Sequence, residues 1–65
     1  MYERLVGVKV KIVFLDGDKI TIVEGTVLEY DADMKMMRLF SEKWRTEVYI
    51  NISTIQKLET RGLID

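Results

Sequence analysis

The stretch Glu24 to Leu39, "EGTVLEYDADMKMMRL", decides the fold. Its first half alternates as a strand does, with Gly25 set inside it. A glycine within a strand marks a bulge, a sharp bend or a close backbone approach. We read Gly25 as a bend that lets one long strand serve two sides of a small closed sheet. The pattern then breaks at Tyr30-Asp31-Ala32-Asp33-Met34-Lys35, where acids signal a turn, and resumes in "MMRLF" as a further strand.

Working outward, the signal is β throughout. In "VGVKVKIVF", Val8, Val10, Ile12 and Phe14 point one way and Lys9 and Lys11 the other. Asp16-Gly17 follows as a hairpin turn, because glycine accepts positive φ without steric cost. "KITIVEGTVLEYD" is a long β-branched strand. "SEKWR" is a polar loop apart from Trp44, and "TEVYIN" is a fourth strand. Asn51, Ser53 and Thr54 favour a short turn through bonds to their own backbone. "IQKLE" is a brief fifth strand and "TRGLID" a loosely held tail. Residues 1–5 have room for one helical turn at most. The chain, 1–65, thus reads as a single all-β domain: a five-stranded small barrel, Sm-like or SH3-like, with a long bent second strand.

Size and composition restrict what such a domain does. At 65 residues a single core is near its lower limit of self-sufficiency. Cysteine and histidine are both absent, which removes disulfides, the usual zinc ligands and the usual catalytic base. Ten basic residues stand against eleven acidic ones, so no whole-protein pull on nucleic acid is expected. No apolar run approaches the roughly 20 residues that span a membrane. Glu3 and Arg4, followed by an alternating strand, do not read as a signal peptide. A cytoplasmic protein is expected.

Several strands are apolar on both faces, and a barrel this small has one interior. Val13 and Leu15 lie opposite the Val8–Phe14 face. In the third strand we assign Met34 and Met36 to the core, and Met37 and Leu39 to the outside with Tyr49. Val13, Leu15, Met37, Leu39 and Tyr49 are then candidates for an interface between copies of the chain. The rival reading has Met1–Leu5 and the tail cover this surface.

"VKVKIVFLDGD" followed by "EGTVLEYDADMKMMRL" resembles the first motif of the Sm/LSm-like proteins, over roughly residues 8 to 39. The matching positions are Asp16, Gly17, Gly25, Val27, Tyr30, Asp31, Met34 and Leu39. The resemblance implies a small barrel and a ring-forming habit. In that family an aromatic or histidine before the methionine stacks on a base and an asparagine after it reads the base. Here those positions hold Asp33 and Lys35, and a carboxylate does not stack on a base. A second likeness, "EGTVLEYDADMKMMRL" with "WRTEVYINISTIQKLE", is to the YolD-like domains of bacteria and phages, and it implies a small-barrel adaptor.

Candidate chemistry is sparse. Ser41 and Ser53 have no histidine to activate them. Asp16, Asp18, Asp31 and Asp33 sit at turns, where aspartate bonds its own backbone, and neither pair continues into an acidic metal loop. No enzyme activity, cofactor or metal site is therefore expected. Lys35, Arg38, Lys43, Trp44 and Arg45 cluster along the third strand and its loop. Cations flanking an indole hold phosphate and stack a base, which points to RNA or single-stranded nucleic acid. The bland reading has Trp44 capping the barrel end. A homo-oligomeric binding module follows, with a structural or protein-interaction adaptor as the alternative.

Overall fold

The computed structural model describes residues 2–61. A 3-10 turn over Tyr2–Leu5 leads into β1 (Lys9–Asp16), β2 (Lys19–Asp31), β3 (Met36–Ser41) and β4 (Thr46–Asn51). A second 3-10 turn, Ile52–Thr54, then carries the chain into β5 (Ile55–Arg61). All neighbours pair antiparallel in one sheet of order β4-β3-β2-β1-β5. The all-β reading and its five strands hold. β4 and β5 do not pair with each other, so the hydrogen-bonded ladder does not close into a ring of strands. β5 runs on through Thr60 to Arg61 and pairs with the start of β1. The remainder of the expected tail lies outside the described residues.

One core draws on every strand. Val10, Ile12 and Phe14 of β1, Val23 and Val27 of β2, Met37 and Leu39 of β3, and Ile50 of β4 are buried together, with Ile55 and Leu58 of β5 packed against them. Strands at both ends of a five-stranded order reach one cluster only if the sheet curls. Three local features produce that curl.

The first is Gly25. A Cβ there would meet the Phe40 carbonyl, Leu39 Cδ1 at 2.7 Å and Phe40 C at 2.8 Å, although the backbone is not left-handed. The missing side chain lets β3 close over β2. The second is a bulge at Leu28, where Val27 pairs with Leu39 but Glu29 pairs with Arg38. An extra residue reverses the inward-outward parity of everything after it. Val27 and Tyr30, three apart, therefore both sit on the core side. The third is the register shift of β1 against β5, which leaves Gln56 unpaired and turns both Ile55 and Leu58 inward.

The amino-terminal turn closes one end of the core. Tyr2 and Leu5 pack on the cluster, and the Tyr2 ring meets Tyr30 at 5.5 Å between centroids. This turn therefore covers the core, not the outward side of Val13 and Leu15.

The phase assigned to β3 is corrected here. Met37 and Leu39 are fully buried, Met34 is 68% exposed, and Met36 faces outward. The register explains it: Leu39 lies opposite Val27 and Met37 opposite Ile50, both core residues. Met37 and Leu39 therefore cannot serve an interface without unfolding. Val13 and Leu15 are outward and half-buried, and Tyr49 is 63% exposed, so those three remain on the surface.

Candidate functional site

Two turns of the same design present the residues of interest. In Asp31–Lys35 the Asp31 carboxylate accepts from the Met34 N–H at 3.1 Å, and Lys35 closes the turn at φ 55°. In Ser41–Arg45 the Ser41 hydroxyl accepts from the Trp44 N–H at 3.2 Å, and Arg45 closes it at φ 57°. Each turn pushes a large apolar side chain, Met34 or Trp44, into solvent. Both serines are thus engaged locally: Ser41 is buried at its turn, and Ser53 Oγ donates to Asn51 Oδ1 at 2.7 Å.

The sequence-derived nucleic-acid set does not assemble into one patch. The two turns sit at opposite ends of the six-residue β3, so Lys35 is roughly 20 Å from Lys43, Trp44 and Arg45 at about 3.3 Å per residue. Arg38 stands between them on the outer face and is already engaged. Its Nε and Nη2 meet Glu29 Oε1, each at 3.2 Å, and its Nη1 meets Glu47 Oε1 at 3.1 Å. The hydrogen bond to Glu47 first, then that to Glu29, raises the guanidinium above its ordinary pKa against a partial desolvation. This clasp ties β2, β3 and β4 together and offers little charge to a phosphate.

The fold instead brings Lys11 and Lys43 beside Trp44. These three line a recess of about 220 Å³ with Ile22, Val23, Glu24 and Ser41. An adjoining recess of about 200 Å³ is lined by Lys9, Glu24, Gly25, Glu42 and Lys43, and Lys9 Nζ lies 3.6 Å from Glu42. Trp44 is 48% exposed, so it does not cap the core. Three lysines and two glutamates share this face, which is far from a basic groove. Lys9 and Lys11 belong with Trp44, although sequence distance hides it. Counting back from the Asp16-Gly17 turn pairs Lys11 with Glu24 and gives half of the arrangement.

A second concavity of about 320 Å³ lies between Met34, Met36 and Tyr49, with Glu29, Asp31 and Arg38 around it. Two methionines and a tyrosine share it with two acids and one cation. Among the described residues no three acidic side chains gather as a metal site, and no helix is long and apolar enough to cross a membrane.

No protein-family model, curated protein or solved structure matches the chain.

Proposed function

We propose that this chain is a non-enzymatic binding module of the Sm-like or SH3-like kind, acting as a cytoplasmic homo-oligomer, with protein as the partner its surface suits best. The observation that carries this is the character of the outer face. Ile20, Ile22, Met34, Trp44 and Tyr49 are all about half exposed or more, while Arg38 and Lys9 on this surface are ion-paired with Glu29, Glu47 and Glu42. Phosphate recognition needs unpaired cations. Exposed apolar side chains amid balanced charge suit a protein partner. The edges of β4 and β5 supply a means of assembly, since an unpaired strand edge accepts another strand. A β4 edge meeting the β5 edge of the next copy is the ring that the Sm-like resemblance implies.

Single-stranded nucleic acid is the second reading, favoured by the half-exposed indole of Trp44 between Lys11 and Lys43. Titration with fluorescent oligouridine and oligothymidine separates the two. The protein-partner reading expects no binding at low salt. Saturable binding that falls steeply with salt and is lost in Trp44→Ala overturns it in favour of nucleic acid. For the assembly, light scattering should give a multiple of the 7.6 kDa chain mass. A proline at Tyr49 in the β4 edge should reduce that multiple.

A further inference from the structure

The concavity between Met34, Met36 and Tyr49 is built on the outer face of β2, β3 and β4. The bulge at Leu28 turns Glu29 and Asp31 outward. The register then lays Asp31 beside Met36, Glu29 beside Arg38, and Arg38 beside Tyr49. Met34 joins them from the turn, where Asp31 Oδ1 accepts its N–H. At about 320 Å³ the cavity lies at the small end for ligand pockets and has room for one long side chain. Its charge is one-sided. Glu29 and Glu47 both answer Arg38, and Asp31 makes no ion pair among the described residues. Both Arg38 contacts to Glu29 fall on Oε1, so among the described residues Glu29 Oε2 and Asp31 Oδ2 keep their lone pairs. Asp33 and Lys35 of the same turn offset each other.

We infer that this cup takes a lysine side chain of a partner protein. The inference rests on the protein-partner reading and names what this part of the surface recognises. A lysine joins a flexible aliphatic stem to a compact ammonium. The stem packs on the thioethers of Met34 and Met36, which are polarizable and adapt to what they touch. The Tyr49 ring adds apolar area and attracts a cation over its face. The ammonium has three donors and no acceptor, so it can meet both spare oxygens. Those oxygens belong to carboxylates two residues apart on one strand, about 7 Å between Cα atoms. A flat guanidinium fork is matched instead by both oxygens of one carboxylate, so arginine fits less well. An anionic partner would meet three carboxylates, Glu29, Asp31 and Glu47, and one guanidinium that two of them already hold.

NMR of the full chain, with isotope-labelled methionine methyl groups, tests this. The probe is the peptide acetyl-Ala-Lys-Ala-amide, titrated at constant ionic strength. The Met34 and Met36 methyl signals should shift and saturate with a Kd on the order of 10 mM, as suits one side chain in an open site. The signal of the buried Met37 should stay in place. A peptide with norleucine for lysine keeps an apolar stem without the ammonium and should bind about fivefold more weakly or worse. Asp31→Asn still accepts from the Met34 N–H, so the turn persists. It and Glu29→Gln should each weaken the lysine peptide about two- to fivefold. A lysine peptide that leaves Met34 and Met36 unshifted up to about 50 mM, several times the expected Kd, overturns the lysine site. Equal binding of the norleucine peptide, or undiminished binding in the variant carrying both substitutions, overturns it as well. These results bear on the cup alone; the oligonucleotide titration decides the protein-partner reading.

Discussion

Replacing Gly25 with alanine adds one methyl group at the tightest point of the sheet. The added carbon would lie 2.8 Å from the Phe40 carbonyl carbon and 2.7 Å from Leu39 Cδ1, with the Phe40 oxygen closer still. Leu39 has rotamers to try, but the Phe40 backbone is held in the β2–β3 and β3–β4 ladders and cannot retreat alone. Overpacking of this kind costs about 1–3 kcal/mol, occasionally more, and contact with backbone puts Gly25→Ala at the upper end. A chain of this size holds roughly 3–10 kcal/mol in total at about 0.05–0.15 kcal/mol per residue. A loss of about 3 kcal/mol lowers the melting temperature by roughly 12–24 °C, at about 4–8 °C per kcal/mol for small domains. Thermal and urea melts followed by circular dichroism measure it. The control is Gly17→Ala, whose added carbon meets nothing within 4 Å and carries only the strain of φ 69°. If Gly25→Ala melts as high as Gly17→Ala, the close approach of β3 over β2 is wrong.

Two further substitutions test the local assignments. Leu39→Ala should cost about 2–5 kcal/mol in urea melts, as for other fully buried leucines, whereas the outward Met36→Ala should cost well under half of that; the reverse order would restore the opposite phase of β3. Arg45→Gly should raise stability by up to about 1 kcal/mol, because a left-handed non-glycine residue costs roughly 1–2 kcal/mol and glycine returns part of that as chain entropy; a destabilised Arg45→Gly would mean the side chain holds the turn.

The strands and turns were legible because their signals are local. The alternation of β1, the Asp16-Gly17 turn and the interior Gly25 each follow from a few adjacent residues, and all appear where expected. The phase of β3 was not, because Met36-Met37-Arg38-Leu39-Phe40 is apolar at both parities. A usable clue was present: Arg38 shares its parity with Met36, so assigning Met36 to the core would bury an unpaired charge, which is costly. The bulge at Leu28 left a fainter trace. Inward positions run Val23, Gly25, Val27 and then jump by three to Tyr30, and only a partner strand reveals that jump as a bulge.

The candidate site depends on the same distinction between local and distant information. Lys35 and Lys43 look like neighbours in sequence, but β3 holds them at opposite ends, so adjacency misleads by the length of a strand. Arg38 looks available until β2 and β4 bring Glu29 and Glu47 to it. Lys11 looks remote from Trp44 until the curl of the sheet brings them to one recess. Only the change at Arg38 moves charge from unpaired to paired; the other two separate or gather side chains. The surface that emerges is balanced in charge and apolar in patches. In a chain this short, with no disulfide to hold it, association with another copy would also supply stability that one small core lacks. Assembly and folding are then the same free-energy problem, and the melting temperature should rise with chain concentration wherever copies associate.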